Sequence, residues 1–235
     1  MVQMITSETA SPSYAVRLRF VKRGSLAYIA HLDLVRTVTK AVARAGIPVR
    51  YSEGFNPHPR LSFATAMSIG LESDCEFLDI RLVKEVDTAR LMQAFNESLT
   101  SELYATECYL PETKFNDIAF SSYRIEIRTK GASAVLAEDC ERALNSGDVV
   151  VFKRSKSGDK DTNISVGIKK AKVSFDGEAL VIDAILAADN AGFLNPEYLV
   201  TYLKERFGIL NGSLLEERYT VLRTGLYFAD MTPFR

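Results

Sequence analysis

Two apolar periods alternate along this 235-residue chain, and their order constrains its fold more than any single residue does. Tyr14 to Val21 reads Tyr-Ala-Val-Arg-Leu-Arg-Phe-Val, which sets Val16, Leu18 and Phe20 on one face at period two and predicts a strand. From His31 to Ala45 the period changes: Leu34, Val35, Val38, Val42 and Ala45 recur at helical spacing, and Gly46 with Pro48 stops the helix. Extended stretches at Pro48 to Tyr51 and Leu61 to Ala66 follow, then a strand from Glu76 to Val83. A second amphipathic helix from Asp87 to Ser98 turns Leu91, Met92 and Phe95 inward, and Ala105 to Leu110 returns as a strand.

The second half repeats the order with different residues. Ser122 to Thr129 alternates as a strand, Ser133 to Asn145 suits a helix, and Asp148 to Phe152 is extended before a polar tip at Lys153 to Asn163. Strands are expected around Ile164 to Ile168 and Leu180 to Leu186. Asn195 as N-cap and Pro196 in the first turn open a helix to about Phe207, and Arg218 to Phe228 forms the last strand. Element order βαββαβ, twice, predicts an α+β protein of two ferredoxin-like halves with antiparallel sheets. The halves are residues 14–111 and 120–230, divided between Pro111 and Phe120.

Composition, at 47% hydrophobic and 25% charged, is that of a globular chain. No apolar run approaches the roughly 18 residues that span a bilayer, and Met1 to Ser13 lacks a basic region followed by an apolar stretch. A cytoplasmic location with no membrane partner is the expectation. Three widely spaced cysteines argue against a disulfide scaffold. No Cys-x2-Cys or His-x3-His pair marks a zinc site, so neither a metal nor a cofactor is expected.

The net charge of −1 hides an internal asymmetry. Tyr14 to Arg60 holds nine basic residues against two acidic ones, while Leu61 to Ala119 holds four basic against eleven acidic. Arg36, Lys40 and Arg44 stand four apart on the first helix and form one ridge, and Arg17 and Arg19 share one face of the first strand. Such cations beside Tyr28, Tyr51, Phe55 and Phe63 are what an RNA site would use, with Lys and Arg on phosphates and aromatic faces on bases. The bland alternative pairs these cations with the acidic stretch of the same chain, and a pI near 6.2 favours it. Nothing in the chain points to DNA.

Tyr51-Ser52-Glu53-Gly54-Phe55-Asn56-Pro57-His58-Pro59-Arg60-Leu61-Ser62-Phe63 crowds two prolines, a glycine, an imidazole and a guanidinium into one loop. Each proline fixes its own φ and pushes the preceding Asn56 or His58 toward extended backbone, so His58 and Arg60 are held in place. The chain's two histidines, His31 and His58, sit in this loop and in the preceding run Tyr28-Ile29-Ala30-His31-Leu32-Asp33-Leu34-Val35-Arg36. Histidine titrates near neutrality, which makes each a suspect for acid–base work, although a lone histidine is more often structural.

The run HLDLVR, the loop YSEGFNPHPRLSF, then Ile69-Gly70-Leu71-Glu72-Ser73 and Glu76-Phe77-Leu78-Asp79-Ile80, resembles the radical-SAM-linked protein family. The resemblance spans about residues 15 to 110, with a looser echo at Asn195-Pro196-Glu197 and Arg223-Thr224-Gly225-Leu226-Tyr227-Phe228. Ala30 departs from it where a serine is expected, removing an N-cap but no chemistry. It implies a bacterial domain of unknown function, fused to or encoded beside a cobalamin-type radical SAM protein. Cys75, Cys108 and Cys140 lie 33 and 32 residues apart, unlike the close thiolate triplet of a radical SAM cluster, so this chain is not itself that enzyme.

The leading expectation is an accessory or substrate-recognition module that works with a radical SAM enzyme and grips RNA. Asn56, His58 and Arg60 would do the gripping, with Arg36 and Lys40 as electrostatic support. An alternative is a metal-independent RNA-processing endonuclease with His31 as general acid or base, Tyr28 assisting, and Arg60 or Lys22 on the phosphorane charge. Another is a protein-docking scaffold with apolar surface near Phe193, Leu194 and Tyr198.

Overall fold

The computed structural model describes residues 14–154, 158–189 and 192–235. Its first half is β1 (Tyr14–Lys22), α1 (His31–Arg44), β2 (Leu61–Phe63), β3 (Leu71–Leu82), α2 (Thr88–Glu97) and β4 (Leu103–Tyr109). The second half is β5 (Phe120–Arg128), α3 (Ala134–Leu144), the hairpin β6 (Val150–Lys153) and β7 (Lys160–Asn163), β8 (Ile168–Phe175), β9 (Leu180–Ala187), α4 (Glu197–Phe207) and β10 (Arg218–Tyr227). Setting the β6–β7 hairpin aside, both halves follow βαββαβ.

Each half pairs its strands antiparallel in the ferredoxin-like order. β4, β1, β3 and β2 are neighbours in the first, and β10, β5, β9 and β8 in the second. The two sets fuse into one eight-stranded sheet. The joint is a short parallel rung in which Val221, Leu222 and Arg223 of β10 face Leu71, Glu72 and Ser73 of β3. The far end of the same β3 edge carries β2, through Leu61↔Ile80 and Phe63↔Leu78.

Local chemistry sets the helix ends. Asp87 accepts the Arg90 N–H at 2.8 Å to start α2, and Ser133 accepts the Leu136 N–H at 3.2 Å to start α3. Asn195 accepts the Glu197 N–H at 3.1 Å ahead of α4, which stops at Gly208 in the left-handed region (φ 65°). Ala30 gives α1 no side-chain cap.

The helices cover one face of the sheet with two cores. Val16, Leu18 and Phe20 meet Leu34, Val38 and Phe95 in one, and Tyr123, Ile125 and Ile182 meet Cys140, Leu199 and Leu203 in the other. On the opposite face a small third cluster, Cys75, Phe77, Ile118, Leu226 and Phe234, covers the middle of the sheet.

Three expectations are corrected. The strand expected around Ile164 to Ile168 is a 3-10 turn at Ser165–Gly167, and the strand runs on from Ile168; Ile164 is drawn into the core while Val166 stands in solvent. β3 starts at Leu71 rather than Glu76, because its first residues are held by β10, a partner distant in sequence. The hydrogen-bonded strand after the GFNPHPR loop shortens to Leu61–Phe63. No helix among the described residues is long and apolar enough to cross a membrane.

Candidate functional site

The GFNPHPR loop is a narrow projecting hairpin. Ser52 N–H donates to the His58 carbonyl at 2.8 Å, and Tyr51 bridges Pro59. The Ser52 hydroxyl accepts the His58 N–H at 3.1 Å and lies 3.0 Å from His58 Nδ1, which is also 3.3 Å from the Asn56 carbonyl. His58 is thus a strut across the base of the loop. Gly54 takes φ 128°, a backbone that L side chains rarely adopt, and lets the tip reverse. Beyond it Phe55 is fully exposed at the tip, and Asn56, Arg60 and Tyr51 are exposed as well.

The hairpin is rooted in a closed ring of backbone bonds among three arginines. Arg50 N–H donates to Arg81 O at 2.7 Å, Arg81 N–H to Arg60 O at 3.1 Å, and Arg60 N–H to Arg50 O at 2.8 Å. Of the three, only Arg60 belongs to the GFNPHPR motif.

His31 lies elsewhere. It opens α1 on the helix side and packs edge-on against Phe63, ring centres 5.7 Å apart. Leu61 and Phe63 turn into the helix-side core, so by strand alternation Arg60 projects from the other face. His31 and Arg60 are therefore on opposite sides of the sheet. Tyr28, the proposed helper of His31, is largely exposed at the end of the preceding 3-10 turn.

His31 borders a cavity of about 10 Å³, also lined by Lys22, Thr65 and Glu76. That is room for about one water. Beneath it a row of charged side chains crosses the seam between the halves: Lys22 (2% exposed) on β1, Glu76 (5%) on β3 and Arg223 (1%) on β10. Arg223 Nη1 donates to Glu76 Oε1 at 2.9 Å and to Thr65 Oγ1 at 2.7 Å. Burial lowers the Lys22 pKa from its ordinary value, with Glu76 opposing and Arg223 adding to that shift. For Arg223 burial also works against the charge, but the carboxylate of Glu76 leads the interactions that raise its pKa overall.

A sequence signal for this row existed. Lys22 shares the parity of Val16, Leu18 and Phe20, Glu76 that of Leu78 and Ile80, and Arg223 that of Val221, so each charge sits on an inward face.

The expected cationic strand face is not one. Arg17 is fully buried and makes a two-pronged contact with Asp79, at 2.7 and 2.9 Å, while Arg19 meets Glu107 at 2.9 Å. Arg23 binds Asp74 and Glu72. Arg17, Arg19 and Arg23 of the basic first stretch are thus paired with acids of the second across β1, β3 and β4. On the α1 ridge Arg36, Lys40 and Arg44 are exposed as expected, although Arg36 pairs with Asp33 at 2.8 Å and Arg44 donates to the Ser98 carbonyl at 2.6 Å. Of the expected docking residues, Phe193 is half-exposed but Leu194 is buried in the second core.

Fold and site together define an α+β protein of two fused βαββαβ units, with a buried charged seam on one face and a projecting hairpin at the edge of the first unit. The chain belongs to the family described as an uncharacterized protein conserved in bacteria (DUF2344), whose model matches residues 15–196. No curated protein matches it. Among solved structures, a chain of the crystal structure of a Cbf5-Nop10-Gar1 complex is 8% identical with a TM-score of 0.49, over 91% of this chain and 49% of that one. This chain therefore spans about half the length of that relative. An unknown protein from Galdieria sulphuraria is 9% identical, with a TM-score of 0.25 over 90% and 99% of the two chains. DtpA from Streptomyces lividans is 12% identical, with a TM-score of 0.23 over 91% and 88%. Likeness this slight transfers nothing from those proteins.

Proposed function

We propose that the protein is an accessory recognition module that works with a radical SAM enzyme and binds RNA through the hairpin of residues 50–60. The partnership rests on the motif resemblance. RNA binding rests on one observation: Phe55, wholly exposed, stands at the tip of a hairpin braced by Ser52 and His58 and rooted in Arg50 and Arg60. An exposed aromatic has no packing role at the tip. It offers a stacking face, while the arginines below it offer charge-assisted bonds to phosphate. In this reading the exposed Asn56 hydrogen-bonds a base edge, His58 holds the loop in shape, and Arg36 and Lys40 add a weaker field from α1.

The nuclease alternative draws no support from the cavity beside His31, which has room for about one water.

The test is salt-dependent binding of labelled single-stranded and structured RNA to the wild type, Phe55→Ala, His58→Ala and Arg60→Ala. Affinity that falls steeply with salt and drops in Phe55→Ala and Arg60→Ala supports the reading. If no RNA binds at low salt, while the radical SAM partner is retained after nuclease treatment and lost in Phe55→Ala, the hairpin is a protein-docking element instead.

A further inference from the structure

We propose that the side chain of Asn96 on α2, and those of Glu141 and Asn145 on α3, close the two outer edges of the sheet to strand pairing, and that β4 without Asn96 pairs edge to edge with a second copy of this chain.

The sheet ends at β4 on one side and at β8 on the other. An outer strand has a neighbour on one side only, so every second residue turns its N–H and C=O away from the sheet, and such a row is a template for an added strand. On β4 these groups are already engaged. Ala105 N–H donates to Asn96 Oδ1 at 2.7 Å, and Asn96 Nδ2 donates back to the Ala105 carbonyl at 2.9 Å. Two residues earlier, Leu103 N–H donates to the Thr100 carbonyl at 3.1 Å. A primary amide offers the same donor and acceptor as a peptide group. Asn96 thus takes the place of a residue that would exchange both bonds with Ala105 in an antiparallel pair.

The β8 edge is closed in the other pattern. Asn145 Nδ2 donates to the Ala171 carbonyl at 2.8 Å, and Val173 N–H donates to Glu141 Oε2 at 2.7 Å. Ala171 and Val173 both turn their side chains into the core, so their backbone groups share the outward direction. They are the two groups, on either side of Lys172, that one residue of a parallel strand would engage. Two helices from different halves therefore do the same thing at opposite ends of one sheet.

The edges differ in what else protects them. β8 carries exposed Lys169, Lys170 and Lys172, whose charges resist an added strand. β4, Leu-Tyr-Ala-Thr-Glu-Cys-Tyr, has neither lysine nor proline. Asn96 is the main barrier on that side. A second copy fits the opened edge because a two-fold axis beside Ala105 makes the strands antiparallel and sets Ala105 opposite Ala105, each supplying the groups that Asn96 had engaged.

The test uses the full chain, with Asn96→Ala, Asn96→Asp and the double change Glu141→Ala with Asn145→Ala. Amide hydrogen exchange reads each edge, light scattering over a concentration series reads self-association, and circular dichroism confirms folding. In the wild type the Ala105 and Val173 amides should exchange slowly although they lie on outer strands. We expect Asn96→Ala to speed Ala105 exchange about tenfold at low concentration and to self-associate beyond the wild type as concentration rises. The double change should speed Val173 exchange alone, and an unchanged rate overturns the closure of β8. Asn96→Asp keeps an acceptor for the Ala105 N–H and sets a charge at the edge, so it should hold the wild-type mass while losing one bond. Should Asn96→Ala fail to fold, Asn96→Ser, too short to span both Ala105 groups, reads the same two quantities. Folded Asn96 variants that all keep the wild-type mass mark Asn96 as a merely stabilising residue and overturn the proposal, as does fast Ala105 exchange in the wild type.

Discussion

Arg223 in β10 and Glu76 in β3 form a buried ion pair at 2.9 Å across the joint between the two halves, although 147 residues separate them in the chain. Lys22 lies in the same buried row with its pKa lowered by burial, so Glu76 is the carboxylate facing two enclosed cations. Replacing Arg223 by Ala leaves the Glu76 carboxylate desolvated beside the seam. A loss of about 3–5 kcal/mol is expected, read as the shift in urea-unfolding midpoint at constant slope. Replacing Arg223, Glu76 and Lys22 together by apolar residues of similar volume should cost clearly less than the single change, because no enclosed charge is then left without a partner. Equal losses would show that the row does not act as a unit.

Arg17 should not tolerate lysine. Its fully buried guanidinium grips Asp79 in two-pronged fashion, donates to Thr113, and lies 4.4 Å and 5.0 Å from the ring centres of Phe115 and Phe234. An ammonium cannot reproduce the fork or the stacking. Arg17→Lys is expected to lower stability and to free the tail around Phe234, with faster proteolysis there than in the wild type. Unchanged cleavage would rule out Arg17 as the clasp of this segment.

All three thiols should be slow nucleophiles. Burial pushes Cys75 up to about 12 and Cys108 and Cys140 up to about 11, so at neutral pH each is a thiol rather than a thiolate. Alkylation by iodoacetamide is expected to be slow in the folded protein and fast in urea. Rapid modification of any one cysteine in the native state would contradict its assigned environment.

Glu217 should contribute to acid stability. Hydrogen bonds from the Thr129 hydroxyl and the Lys130 and Gly212 N–H groups hold its pKa down to about 2, against an ordinary 4.5. The sign follows from linkage: the folded value is depressed, so the stabilisation is complete above pH 4.5 and is lost as pH falls toward 2. Glu217→Gln is expected to flatten the unfolding midpoint over that window. An identical acid profile in the variant would refute the assignment.

Phe55→Ala should separate stability from binding. The ring is fully exposed, so the unfolding free energy should change by no more than about 0.5 kcal/mol. Loss of a stacking face should weaken RNA binding by about 1–3 kcal/mol. A destabilised variant would instead mark the ring as a packing residue.

Much of the fold was legible because its signals are local. Val16, Leu18 and Phe20 announce β1, the spacing of Leu34, Val38 and Val42 announces α1, and Asp87 and Ser133 cap α2 and α3, whereas the N-cap of α4 is Pro196 rather than the expected Asn195. The site was less legible. His31 and Arg60 stand out equally in sequence, yet strand alternation sends them to opposite faces, and His58 proves to be bonded within its own loop. Arg50 and Arg81 carry no motif, and their place beside Arg60 exists only where three extended segments meet.

The chain alone determined the order of strands and helices and the stiffness of the hairpin, since apolar period, capping groups and proline geometry act over a few residues. Tertiary structure alone decided that the two halves share one sheet and that Arg17, Lys22 and Arg223 are enclosed rather than solvated. The physical reason is that these outcomes depend on contacts between distant segments. The β3–β10 rung, Arg17 with Asp79 and Arg223 with Glu76 exist only after collapse has brought those strands together, and no local propensity encodes them.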